Sequence, residues 1–197
     1  MRWTAACLAA LLLVFAASAS GGEVLSVCYN YSCLSQDEVL YSDAQLRRVQ
    51  DLLGDGFSAV HERALLGIAV GWMLGWAGQQ TPISADRGGN YADDGVYGRM
   101  DCIDHSTTTT RLLRLLEKRG WLRFHRVLQP ALRTNFFIFE HYSAQIEEVG
   151  EAADESAPAG EAPKRYVVDS WFFDNGQPAA VMPLENWLAG EGPDVEQ

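Results

Sequence analysis

The six residues Asp101-Cys102-Ile103-Asp104-His105-Ser106 concentrate a thiol, two carboxylates, an imidazole and a hydroxyl. A stretch rich in Gly, Asn and Asp, Gln79 to Asp101, leads into them, and an apolar-periodic run follows as far as Gly120. Cys102 is therefore predicted at the start of a helix. Free N–H groups and the helix dipole there favour a thiolate and can hold an oxyanion during acyl transfer. At about 100° per residue, Cys102, His105, Thr109, Leu112, Leu113 and Leu116 share one face, and Arg111, Arg114 and Lys118 the other. The thiol then points to the side on which strands would pack. A buried cysteine that merely begins a core helix is the plain alternative.

A cysteine nucleophile needs an imidazole base, and the chain has four histidines. His61 opens an apolar helix and reads as a surface or packing residue. His125 is flanked by Arg123 and Arg126, whose charges disfavour its protonated form. His105 is one turn below Cys102 and aims along the helix rather than across the thiol. His141 begins an alternating, strand-like segment and so reaches the thiol from a separate element, which makes it the favoured base. A triad also requires a carboxylate to orient the imidazole. Asp169 ends the β-prone run Tyr166-Val-Val-Asp169, and it stands beside His141 if the two strands pair.

These groups must be positioned by a small set of elements. Ser42 with Gln45 forms a capping-box pattern that opens a helix ending at Gly54, and a second helix, apolar nearly all round, is predicted from Ser58 to Ala77. The third begins near Cys102. Later stretches turn β-prone: Trp121 to Leu128, Phe136 to Val149 and Arg165 to Asp169. Pro183 to Leu188 closes the series as a short helical turn. Helices first and strands afterwards imply an α+β fold with an antiparallel sheet. Residues 147–163 contain six acids and no base, and read as a mobile acidic hairpin loop inserted between two strands.

Composition narrows the classes further. The 197 residues are 48% hydrophobic, which excludes a disordered chain, and the net charge of −11 opposes binding to nucleic acid. Residues 1–19 read as a secretory signal peptide: Arg2, an apolar core around Leu11 to Phe15, then Ala17-Ser18-Ala19. Residues 20–197 form one domain with no membrane span, and the expected location is periplasmic or secreted. Removing Cys7 with the signal leaves Cys28, Cys33 and Cys102. In an oxidising compartment Cys28 and Cys33 are expected to pair, leaving Cys102 free.

The order Cys102, His141, Asp169, with Asp-Cys-x-Asp opening a helix and Val-Val-Asp ending a strand, resembles the transglutaminase-like cysteine peptidases of bacteria. The likeness covers roughly Gly71 to Trp187. It implies a papain-like fold in which a central nucleophile helix packs on an antiparallel sheet. It also implies Cys102 as nucleophile, His141 as general base, Asp169 as its orienter, and a thioester acyl-enzyme. Some relatives bind calcium through acids before the cysteine, and Asp86, Asp93, Asp94 and Asp101 occupy that region here; otherwise no cofactor is implied. Ile103 and Asp104 depart from the Asp-Cys-Ser-Gly pattern of cell-wall peptidases. The expected function is an exported hydrolase that cleaves an amide bond, with a peptide or protein as substrate. The Cys102 N–H would be one oxyanion donor, and Gln79, Gln80 or Asn90 the second. The alternatives are a peptidoglycan amidase or peptidase on the same fold, and a non-catalytic interaction module that keeps it.

Overall fold

The computed structural model describes residues 22–89, 92–135, 139–149 and 163–193. The signal segment, Asn90 and most of the acidic loop lie outside the described residues.

A hairpin comes first: β1 (Glu23–Tyr29) pairs antiparallel with β2 (Ser35–Tyr41), in register from Glu23 opposite Tyr41 to Tyr29 opposite Ser35. This corrects the expected order of helices before strands. Two helices follow. In α1 (Asp43–Gly54) the Ser42 side chain accepts from the Gln45 N–H while Gln45 reaches back to the Ser42 N–H, so the capping box is complete. In α2 (Ala59–Gly78) the Ser58 side chain caps the His61 N–H. Gly67 and Gly71 of this helix face residues 177–179: a Cβ at either position would lie 2.6 Å from a carbonyl oxygen, of Ala179 or Gln177. Only glycine lets that segment lie directly on the helix.

A 3₁₀ turn (Pro82–Ala85) and an irregular stretch lead to α3 (Cys102–Lys118). Its apolar stripe, Leu112, Leu113 and Leu116, is fully buried, and Arg114 and Lys118 are exposed, as the helical spacing requires. The second sheet is built around β5 (Phe139–Glu148). The second half of β5 pairs with β3 (His125–Val127), and its first half with β4 (Ala131–Asn135). On the other edge it pairs with β6 (Arg165–Asp169), which pairs in turn with β7 (Ala180–Pro183). Every pairing is antiparallel, and α4 (Leu184–Leu188) follows β7 directly. The architecture is therefore α+β.

Helix α3 packs between the two sheets, touching β1 on one side and β5 on the other. One contiguous apolar cluster joins them, running from Val27 and Tyr41 through Leu66, Val70 and Met73 to Leu112, Leu116, Ile146 and Val168. The 147–163 boundary also shifts. Glu147 and Glu148 belong to β5, and Glu147 is buried between Arg126 and Arg165, whose guanidinium groups hold its carboxyl below the usual range. Among the described residues no helix is long and apolar enough to cross a membrane.

Candidate active site

Cys102 is the first residue of α3 and is half-buried. Its helix start is fixed by Asp101, whose side chain accepts from the Asp104 N–H (2.9 Å), while Asp104 Oδ2 accepts from the Asp101 N–H (3.1 Å). The Cys102 N–H itself acts on the residue's own thiol.

The thiol rests on β5. Its Sγ lies 3.9 Å from the Glu140 carbonyl oxygen, and the Tyr142 N–H donates to it, so it touches backbone on both sides of His141. His141 Nε2 is 2.8 Å from Asp169 Oδ2. The register explains this contact. Asp169 follows Val168, the partner of Ala144, so it stands opposite Ser143. His141 shares a face with Ser143 and is its diagonal neighbour. Asp169 also accepts from Trp187 Nε1 (2.9 Å) and from the Trp171 N–H (3.1 Å). Indole and imidazole donors thus converge on one carboxylate oxygen, which fixes His141 as an Nε2–H donor and leaves Nδ1 as the end of the ring turned away from Asp169. Nδ1 is buried and has no hydrogen-bond partner. Three rings surround the imidazole: Trp171 at 4.8 Å, Trp187 at 5.6 Å and Phe172 at 5.8 Å between centroids.

The thiol's protonation differs from the helix-start expectation. Burial pushes the Cys102 thiol above its ordinary pKa, the Asp101 and Asp169 charges act in the same direction, and the Tyr142 N–H only partly opposes them. The resting group is the thiol, not the thiolate.

The other histidines are occupied elsewhere. His105 Nδ1 is 2.9 Å from Ser170 Oγ and its Nε2 3.0 Å from Asp86 Oδ2. His125 Nδ1 is 2.8 Å from Glu62 Oε1, and Glu62 also accepts the N–H groups of Arg123 and Phe124. Burial raises the Glu62 pKa, but these bonds outweigh it and hold the carboxyl below its usual range. The His61 ring packs on Phe57.

Of the candidates for a second oxyanion donor, Gln79 and Gln80 are the described ones, and neither has a hydrogen bond to Cys102. Gln79 is the exposed C-cap of α2. Gln80 is locked on β2: its amide donates to Leu40 O and Trp76 O and accepts from the Leu40 N–H. Leu40 is five residues along β2 from Ser35, about 17 Å at the strand rise, and the Ser35 end is the one that meets α3. Asn90 lies outside the described residues.

Nor do the four aspartates converge on a cation. Asp86 accepts from the Met100 N–H and faces His105, while Asp93 pairs with Arg99 and accepts from Tyr31 Oη. Asp101 caps α3, and Asp94 is exposed. The chemistry of Asp86, Asp93 and Asp101 is structural: carboxylates engaged by backbone N–H groups, an imidazole and a guanidinium.

Cys28 and Cys33 form a disulfide, and Cys102 is the free thiol among the described residues. Between them Asn30, Tyr31, Ser32 and Cys33 all have positive φ, from 53° to 66°, although none is glycine. Such conformations are sterically costly for L-residues. They turn successive N–H groups toward α3: Tyr31 and Cys33 donate to Asp104 (2.8 and 2.6 Å) and Ser32 to Asp101 (2.8 Å). The hairpin turn is thus seated on the first turn of the cysteine helix.

Compared with known protein families, curated proteins and solved structures, the chain matches none.

Proposed function

We propose that the protein is a thiol hydrolase that cleaves an amide bond, with a peptide or protein as substrate, on a transglutaminase-like frame. The observation that carries this reading is the His141–Asp169 pair. Its Nε2 side is fixed by a carboxylate that Trp187 also holds, its Nδ1 side is buried without a hydrogen-bond partner, and the Cys102 thiol lies on the backbone around the same residue. The Cys28–Cys33 disulfide fits an oxidising compartment.

Because the thiol is protonated at rest, His141 acts as a general base in the attack rather than as half of a preformed ion pair. The Sγ–H proton passes to Nδ1 as the S–C bond forms, and the imidazolium is stabilised by Asp169 through Nε2–H. The carbonyl oxygen becomes an oxyanion, which the N–H groups of the first turn of α3 stabilise. Nδ1–H then protonates the leaving amine as the C–N bond breaks, leaving a thioester on Cys102. Water, deprotonated by the same nitrogen, releases the acid and restores the thiol.

Mass spectrometry after exposure to a panel of peptidyl amides tests this. The acyl group is expected on Cys102 and removable by neutral hydroxylamine. Cys102→Ser and His141→Ala are each expected to lower hydrolysis by at least about 100-fold. Undiminished hydrolysis in Cys102→Ser would overturn the assignment. The raised thiol pKa favours one second reading, an interaction module without catalysis. That reading expects no acyl-enzyme with any peptide, and iodoacetamide labelling of Cys102 that is indifferent to His141→Ala.

A further inference from the structure

The segment carrying Asp169 is held from a second direction. Ser170 Oγ enters α3, 2.9 Å from His105 Nδ1 and 2.9 Å from Thr109 Oγ1. Ser170, His105 and Thr109 are all buried. Beyond His105, Nε2 faces Asp86 Oδ2 at 3.0 Å without hydrogen-bond alignment, so the contact to Ser170 is the directed one. On the other side, Trp171 O accepts from the Gly89 N–H at 2.8 Å. Buried hydroxyl and imidazole groups cost free energy unless they are satisfied, and apolar residues would fill the same volume without that cost. What a satisfied polar link adds is a fixed register between two elements. His105 follows Cys102 by three residues on the same face of α3, so one helical turn sets both the thiol and the anchor of Ser170.

We propose that His105 is a positioning residue: through Ser170 it fixes where the Asp169 carboxylate stands relative to Cys102, and so the angle at which His141 meets the thiol. This rests on the reading of Cys102, His141 and Asp169 as a triad. His105 itself takes no proton in the reaction.

The disulfide-intact protein carrying His105→Ala, His105→Asn or Ser170→Ala tests it with two readouts besides stability. One is the downfield N–H proton resonance of the His141 imidazole, which reports its bond to Asp169. The other is the rate of Cys102 alkylation by iodoacetamide as a function of pH. Both alanine variants are expected to broaden or shift the His141 resonance and to change the neutral-pH alkylation rate by roughly tenfold. His105→Asn is expected to restore both, because its amide reaches the place of Nδ1 and keeps the Ser170 contact while giving up Asp86. Alanine variants that melt earlier but keep the wild-type resonance and alkylation profile would overturn the proposal and make the cluster plain packing. If His105→Ala does not fold, Ser170→Ala and His105→Asn decide. Should His141→Ala leave alkylation unchanged, the triad reading fails, while the His141 resonance still decides whether His105 sets the Asp169 contact.

Discussion

Replacing Asp104 with asparagine probes how the cysteine helix is held. The Asp104 carboxylate is fully buried and accepts three N–H groups, those of Tyr31, Cys33 and Asp101. Burial and the adjacent Asp101 charge nevertheless outweigh these donors, and the carboxyl titrates at about 6. The folded state therefore binds this proton more tightly than the unfolded chain, where the ordinary value is near 4. Between about pH 4 and pH 6 the folded state carries more protons, so this group's contribution is fully present below the window and lost as pH rises through it. At about 1.4 kcal/mol per pKa unit the loss is at most about 3 kcal/mol. Solvent reaching the rim at exposed Ser32 screens the Asp101 charge and reduces it to about 1–2 kcal/mol. Asparagine does not titrate, so the wild-type minus Asp104→Asn difference isolates the group from every other carboxyl. Thermal melts from pH 3.5 to 7.5 should show the wild-type advantage shrinking by about 2–8 °C across the window. A difference that is flat, or that grows with pH, would mean that the three N–H donors dominate and that Asp104 is ionised throughout.

Two further outcomes follow from the same geometry. Cys28→Ala with Cys33→Ala removes a small closed loop, worth about 2 kcal/mol in chain entropy, and frees four positive-φ residues from the turn. Urea unfolding should lose at least that much, and dithiothreitol should bring the wild type to the same midpoint; an unchanged midpoint in both cases refutes the clamp. Trp187→Phe deletes the Nε1 donor to Asp169 while keeping a ring beneath Arg133. It should cost about 1.5–3 kcal/mol, as expected for a buried bond to a carboxylate; a loss below about 0.5 kcal/mol would show that the indole does not hold Asp169.

Local signals made the helices legible. Ser42 with Gln45, and Ser58 before an apolar run, fix helix starts within four residues of chain, and α1 and α2 begin at those points. The contact of His141 with Asp169 was legible because two strands separated only by a loop pair antiparallel, and the register then brings their ends together. The first hairpin was not. Ser35-Gln-Asp-Glu has poor strand propensity, and β2 forms because Val39 and Tyr41 are buried against the helices. Its turn was hidden for a stronger reason: four left-handed residues without a glycine follow no local turn rule, and they persist because three of their N–H groups meet carboxylates about 70 residues away and the fourth, of Asn30, meets the Arg99 carbonyl. The roles of Asp86, Asp93 and Asp101 were misjudged for a related cause. The resemblance implied a cation there, while the groups these carboxylates meet are an imidazole, a guanidinium and backbone N–H groups, some of them brought in from other elements.

That hairpin turn also bears on why the thiol departs from the simple helix-start expectation. A helix N-terminus lowers a thiol pKa when its positive end is free to act on the sulfur. Here the first turn carries Asp101 and Asp104, and the carboxylates that build the start of α3 oppose its field. The left-handed turn answers them with its own N–H groups, but those dipoles point at the carboxylates, not at Sγ. Cys102 is left with burial and two nearby acids, which keep its proton on, against the N–H groups of Tyr142 and of Cys102 itself. A thiol held in that way can become a nucleophile only if a base takes its proton during attack. In the proposed mechanism that base is the unpartnered Nδ1 of His141, a ring locked from behind by Asp169 and Trp187.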